Sequence, residues 1–481
     1  MDNVVSHDCC ASSKAAPRKP DLVVIGAGSA GFSAAIRASE LGANVALIGH
    51  GTIGGTCVNV GCVPSKALIR AAEAVHHAKA ASRFADITGY ANVDNWAALQ
   101  AQKDQLVSDL RGAKYEALLP EYETIRYVAG RAQFTEIGVE VGGEIFSAER
   151  VVIATGASAG VPAIPGIAEV PYLTSTSALE LEHLPPSLLI IGGGVIGCEL
   201  GQMFARFGVA VTIVCRSHLL PGFEAEIGEA LAGYMRDEGI NVLTGCSYKN
   251  IRRTESGVVL DMSMKGEHLT VTASKMLVAT GRSPNTAGWG LEEARITLDK
   301  AGAVITDEFL ASSRPGVYAA GDVTGRDQYV YMAAYGAKLA VDNALNGDTR
   351  RYDSRIMPEV VFTDPQIASV GLTEETAKVR GLDVRSVRLE LSSLPRALAA
   401  RDTRGFIKLV AETGTLRLLG AHIVAPEGAD SIQTAVLAIK HGLTVTDLAE
   451  TLFPYLTNVE GLKLASLGFQ KDITKLSCCA G

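Results

Sequence analysis

The 481-residue chain has no long apolar run. No stretch approaches the ~20 residues that span a bilayer, so no membrane segment is expected. A basic surplus is also missing: 44 Lys and Arg stand against 52 Asp and Glu, a net charge of −8. Polyphosphate partners select the opposite sign, and nucleic acid is not expected as a ligand. The first residues lack the basic region and apolar stretch of a signal peptide, so a cytoplasmic location is expected. Cysteine is sparse, nine in the whole chain, too few for a disulfide scaffold. Short-period repeats and low-complexity blocks are absent.

What is present is a core-forming composition, 47% hydrophobic and 20% charged, with 50 glycines. At ~100–200 residues per domain, the length predicts about three domains. Residues 1–20 carry no periodicity and are expected to be a disordered tail. A strand then reads Asp21-Leu-Val-Val-Ile25, followed by Gly26-Ala-Gly28-Ser-Ala-Gly31, a helical pattern to Gly42 and a second strand Asn44-Val-Ala-Leu-Ile48. This is a strand–helix–strand unit with a dinucleotide fingerprint at its first turn. Gly26 serves the turn, Gly28 lets backbone approach a pyrophosphate, and Gly31 lets helix pack on strand. The acid that ordinarily ends the second strand and holds a ribose hydroxyl is missing, because Gly49 and His50 stand there.

The pattern recurs. The strand Ser187–Ile191 runs into Gly192-Gly-Gly194-Val-Ile-Gly197, and the strand Ala210–Val214 ends in Cys215-Arg216. Arg216 again replaces an acid, and a guanidinium suits a 2′-phosphate, which favours NADPH over NADH. The segment 64–119 reads as largely helical. Gly316-Val-Tyr-Ala-Ala-Gly-Asp322 reads as a buried strand and turn by which the chain re-enters its first domain. From about Arg355, strands (Glu359–Phe362, Gly405–Val410, Gly420–Val424) mix with helices such as Asp430–His441. The expected organisation is therefore α/β. Two Rossmann-like dinucleotide domains, one split over 21–155 and 280–355 and the other at 156–279, precede an α+β domain at 356–481.

The most specific segment is Gly54-Gly-Thr-Cys57-Val-Asn-Val-Gly-Cys62-Val-Pro-Ser-Lys66. Two cysteines separated by four residues are expected to open a helix and to lie one turn apart on one face. A helix N-terminus favours thiolate, and such a pair can close and reopen a disulfide. At the far end, Cys478-Cys479 are adjacent. Neighbouring cysteines close disulfides poorly but can offer two soft sulfurs to one soft metal ion. Cys198, Cys215 and Cys246 read as small core residues. His7, His76 and His77 show no ligand spacing and read as solvated, and Cys9-Cys10 are either a second metal-capturing pair or an inert tail.

The Gly54–Lys66 segment resembles the redox motif of the pyridine nucleotide–disulfide oxidoreductases. The resemblance extends from Asp21 to the C-terminus and includes Ala154-Thr-Gly156, Ala279-Thr-Gly281-Arg282 and Gly321-Asp322. It implies FAD at the first fingerprint, with Asp322 at the ribityl chain and Gly51, Thr56, Ala132 and Val330 lining the cofactor. It also implies Lys66 near the flavin and paired with Glu199, Cys62 against the flavin, and Cys57 facing substrate. Disulfide-reducing members carry a His-Pro-Thr near the C-terminus whose His is the acid–base for the leaving thiol. Here Phe453-Pro-Tyr455-Leu-Thr-Asn-Val-Glu460 places Tyr455 at that position. A tyrosine of pKa ~10 is a poor base near neutrality.

That segment, the Cys-Cys-Ala-Gly terminus and the redox motif resemble the mercuric reductase branch. The branch implies reduction of thiol-bound Hg(II), Tyr115 and Tyr455 near the metal, and Cys57, Cys62, Cys478 and Cys479 as metal ligands. It further implies a homodimer in which the tail of one subunit reaches the active site of the other. A disulfide reductase like dihydrolipoamide dehydrogenase and an idle metal-sequestering flavoprotein are the alternatives.

Overall fold

A computed structural model describes residues 19–147, 149–472 and 475. The readings made for Cys9, Cys10, Cys478, Cys479 and His7 lie outside the described residues. The described residues divide into two compact units: those within 1–53, 115–156 and 284–352 form the first, and those within 54–114, 157–283 and 353–481 form the second.

The first unit is built on a five-stranded parallel sheet. Its order is Val317–Ala319, Arg150–Ile153, β1 (Leu22–Ile25), β2 (Val45–Gly49) and Ile125–Ala129. β1 and β2 are buried along their whole length and the strand 150–153 is buried beyond Arg150, as a sheet covered on both faces demands. Helix α1 (Ser29–Glu40) follows β1 and buries Ala30, Ala34, Ala35 and Ala38 beneath it. The turn between them requires glycine: Gly26 has φ +115°, and a Cβ there would sit 2.1 Å from the Ala154 carbonyl oxygen. A small antiparallel sheet (Gln133–Phe134, Val139–Val141, Glu144–Phe146) is appended.

The second unit repeats the device. A parallel sheet runs Asn241–Leu243, Ala210–Val214, Ser187–Ile191, Lys275–Val278. Gly192, at φ +119°, approaches the Ala279 carbonyl oxygen as Gly26 approaches that of Ala154. A three-stranded antiparallel meander (Cys246–Thr254, Gly257–Met264, Glu267–Ala273) follows. The C-terminal part forms a five-stranded antiparallel sheet in the order 359–361, 366–371, 418–425, 406–412, 384–390. One apolar cluster joins Leu68 and Ile69 to Phe204 and Ile213 of the nucleotide sheet layer and to Val361, Phe406 and Val424 of the C-terminal sheet.

The cysteine segment differs from its expected form. Cys57 lies in α2 (Gly55–Val60), whereas Cys62 is the first residue of α3 (Cys62–Ala80). Gly61 breaks the helix between them at φ −125°, ψ −112°. The thiols therefore do not share one helical face; they meet across a break. The reason is local: a Cβ at Gly61 would lie 2.9 Å from the Thr56 carbonyl oxygen, so the chain folds back tightly where only glycine fits. Pro64 then occupies the first turn of α3, where its missing N–H costs nothing. The helical stretch expected over 64–119 resolves chiefly into α3 and α4 (Trp96–Arg111).

Candidate active site

Cys57 and Cys62 are both partly buried and free. Their thiols hydrogen-bond, and this bond splits their acidities. The Cys62 thiol is lowered to about 7, first because Cys57 donates to its thiolate and then because the Lys66 ammonium lies near, with burial opposing. Cys57, the donor, is pushed far up by the same bond and by burial. Cys62 also sits at the head of a 19-residue helix that no side chain caps, where the helix dipole favours negative charge. At neutral pH about half of the pairs therefore hold one thiolate and one thiol, the arrangement that attacks a soft electrophile.

Lys66 is held one turn along α3. Its Nζ donates to Glu199 Oε2 at 2.6 Å and lies 4.9 Å from the centroid of the Phe362 ring. Glu199, on the helix Val195–Arg206, is only 4% exposed and accepts a second bond, 2.9 Å, from the Phe362 backbone N–H. Phe362 therefore closes the Lys66–Glu199 pair from two sides. Nothing in its sequence context marks it, because both contacts are tertiary. Around α2, Asn59 accepts from Arg111 Nη1 (3.1 Å) and donates to the Gly55 carbonyl (2.9 Å), tying the Cys57 helix to α4.

The far end of α3 is fixed by charge. His77 lies 3.5 Å from Asp364 and His76 lies 3.8 Å from Glu238, in a network with Arg206 and Arg404. His77 is exposed, as expected of a solvated histidine, and His76 is half-buried, which corrects the expectation for it; the fold of α3 also turns each toward a carboxylate that sequence spacing does not reveal. The bond to Asp364 raises the His77 pKa, while burial lowers that of His76. Burial pushes the Asp364 carboxyl up, but His77, Arg206 and Arg404 together hold it well below its ordinary value.

Both fingerprints present a helix N-terminus without a side-chain cap, at Gly28 and at Gly194. A Cβ at Gly194 would meet nothing within 4 Å, so the approach is open to a pyrophosphate. In the first unit, Gly321 packs where a Cβ would come within 3.3 Å of Ala30 Cβ, which sets Asp322 beside the head of α1. Ala132 lies against the core, and Val330 opens the helix Val330–Asn346. These donors and clearances fit a dinucleotide at each fingerprint. Arg216 is exposed at the end of Ala210–Val214. Gly281, at φ +113°, accepts from the Gly160 N–H.

Tyr115 belongs to the first unit, edge-on to Phe32 with centroids 4.8 Å apart. Tyr455 belongs to the second, 49% exposed beside Leu452 at 91% and Leu456 at 42%. Cys198, Cys215 and Cys246 are buried, as expected of core thiols. Among the described residues, no three His, Cys, Asp or Glu side chains form a metal cluster, and no helix is long and apolar enough to cross a membrane.

Residues 20–340 match the pyridine nucleotide-disulphide oxidoreductase family, and residues 357–466 match its dimerisation domain. Mercuric reductase of Lysinibacillus sphaericus is 46% identical over 463 residues, covering 96% of this chain and 84% of the relative. Mercuric reductase of Streptomyces lividans is 46% identical over 467 residues, covering 96% and 98%. Among solved structures, the Cu(II) complex of the HOCl-induced flavoprotein disulfide reductase RclA from Escherichia coli matches with a TM-score of 0.82 at 31% identity, covering 94% of this chain and 99% of that one. The α/β fold, the two fingerprints, the thiol pair and these matches agree, and the chain belongs to the pyridine nucleotide-disulphide oxidoreductase family as a relative of the mercuric reductases.

Proposed function

We propose that the protein is a mercury(II) reductase that oxidises NADPH and reduces thiol-bound Hg(II) to Hg(0), with FAD at the first fingerprint and NADPH at the second. The observation that carries this reading is the Cys57–Cys62 pair, poised as thiol and thiolate beside Lys66. Tyr455, in place of an acid–base histidine, favours a metal substrate over a disulfide.

Bound FAD supplies the two-electron link between NADPH and the thiol site. The chain's own residues then have defined tasks. The Cys62 thiolate attacks mercury carried by two small thiols, forming one Hg–S bond and displacing one thiolate. Cys57 forms the second Hg–S bond as the other thiol leaves, and its proton departs with that leaving group. Lys66, fixed by Glu199, keeps the Cys62 sulfur anionic. Overall, NADPH and the bis-thiolate Hg(II) complex give NADP⁺, Hg(0), one thiol and one thiolate with no net proton released, and Hg(0) has little affinity for thiolate. Gly26, Gly28 and Gly31 admit the FAD pyrophosphate, with Asp322, Gly51, Thr56, Ala132 and Val330 along the cofactor. Gly192, Gly194 and Gly197 admit that of NADPH, Arg216 takes the 2′-phosphate, and Gly281 lines the same cofactor. Cys478 and Cys479 of a neighbouring subunit deliver the metal in a homodimer, and Tyr115 and Tyr455 shape the site.

The test is Hg(II)-dependent NADPH oxidation in excess thiol. Cys57→Ala and Cys62→Ala are each expected to abolish it, and the Cys478→Ala/Cys479→Ala double variant to slow it with flavin binding intact. Wild-type turnover in either single variant would overturn the reading, and normal turnover in the double variant would remove the relay.

A further inference from the structure

The missing acid at the end of β2 has a structural counterpart. Gly49 is the last residue of β2 and pairs with Ala129, while Leu47 pairs with Tyr127 on the adjacent parallel strand. Residues two apart on a strand share a face, so Tyr127 lies on the face of Leu47 and Gly49. Its ring crosses Gly49: a Cβ built there would be 2.6 Å from the Tyr127 hydroxyl oxygen and 2.8 Å from its Cε2. The same Cβ would be 2.6 Å from the Cβ of Ala27, which lies inside the fingerprint turn between Gly26 and Gly28. No acid can therefore occupy position 49 while Tyr127 and Ala27 are both present. The phenol fills that space, with its oxygen beside the pyrophosphate-binding turn. Tyr127 is partly buried against the core of the first unit. Arg131 Nε donates to His50 Nε2 at 3.1 Å, so the rim of this corner carries a cation and an imidazole.

We infer that the Tyr127 hydroxyl replaces the absent carboxylate as the group that binds the adenosine ribose of FAD. This rests on the reading of the first fingerprint as the FAD site. A phenol offers one donor and an acceptor where a carboxylate offers two acceptors, so the ribose is held by a neutral hydrogen bond. Burial raises the Tyr127 pKa and keeps it protonated through the physiological range.

The experiment strips FAD from the purified full-length protein and measures FAD rebinding through quenching of flavin fluorescence. Tyr127→Phe, which keeps the ring, is expected to weaken FAD binding about fivefold, the worth of one neutral hydrogen bond, with the melting temperature of the FAD-free protein unchanged. Gly49→Glu alone is expected to weaken binding more than tenfold, because its side chain has no room. Gly49→Glu combined with Tyr127→Val and Ala27→Gly, which together clear both contacts, is expected to return the affinity to about that of wild type. Unchanged FAD affinity in Tyr127→Phe, or a triple variant no better than Gly49→Glu, would overturn the inference. A wild-type protein that takes up no FAD would overturn the functional reading itself, and this inference with it.

Discussion

The Lys66–Glu199 pair makes a prediction whose sign cannot be guessed from stability alone. Lys66 lies four residues beyond Cys62 on α3, and that spacing places side chains about 5–6 Å apart. At an effective dielectric of about 20, a unit charge at that distance is worth roughly 3 kcal/mol, or about two pH units. Lys66 is 31% exposed, so water discounts the effect to about one unit. Replacing Lys66 by Met should raise the Cys62 pKa from about 7 by that amount. Glu199 acts oppositely, since its negative charge disfavours the thiolate. Glu199→Gln should lower the Cys62 pKa while keeping an acceptor for the Phe362 N–H. Both variants should cost about 1–3 kcal/mol of stability, because each breaks a charge-assisted bond to a group that is 4% exposed or to its partner. The assay is the pH dependence of iodoacetamide alkylation at Cys62 in the reduced protein, read by peptide mass. Fragment masses separate alkylation at Cys62 from that at Cys57. If both substitutions moved the profile in the same direction, or Lys66→Met left it unchanged, the electrostatic account of Cys62 would be refuted.

Arg216→Ala should raise the KM for NADPH about tenfold and leave that for NADH unchanged, since only the 2′-phosphate is lost as a partner; steady-state kinetics with both nucleotides checks it. Gly192→Ala should abolish NADPH binding and leave FAD bound, because its methyl would sit 2.2 Å from the Ala279 carbonyl oxygen in the second fingerprint only; nucleotide titration of the purified flavoprotein reads this out. His77 has a folded pKa above its ordinary 6.5, so its bond to Asp364 contributes stability below that pH and loses it as pH rises through the folded value. His77→Gln should therefore lower the melting temperature at about pH 5.5 and have no effect at about pH 8.5. Phe204→Ala, at a fully buried position in the core joining α3 to the parallel sheet and the five-stranded antiparallel sheet of the second unit, should cost about 3–5 kcal/mol in a denaturant titration.

The strands around the two fingerprints were legible because each is a short apolar run closed by glycine. Ser187–Ile191 and Ala210–Val214 fall where the sequence placed them, and β2 is displaced by one residue. The Lys66–Glu199 pair, 133 residues apart, came from resemblance and is met at 2.6 Å. Contacts made by geometry alone were not legible. Phe362 acts through its ring and its backbone N–H, and neither leaves a pattern in the chain. The carboxylates that receive His76 and His77 lie more than 160 and 280 positions away on other elements. The single-helix reading of Cys57 and Cys62 failed because helical periodicity carries no information about a break at one small residue.

Gly61 and Gly49 show why such breaks matter more than their size suggests. In each, the missing side chain is the functional element: one lets two thiols meet across a fold-back, and the other makes room for a phenol beside a phosphate-binding turn. A glycine in a sequence signals permission, and only the neighbouring atoms say what is permitted. At position 61 the neighbour is a backbone carbonyl of the same segment, so nothing else can change to accommodate a larger residue. At position 49 the nearest neighbours are the side chains of Ala27 and Tyr127, so the site can be rebuilt by exchanging three residues together. The cysteine segment is consequently rigid in sequence, and the ribose corner can vary while the fold around it stays the same.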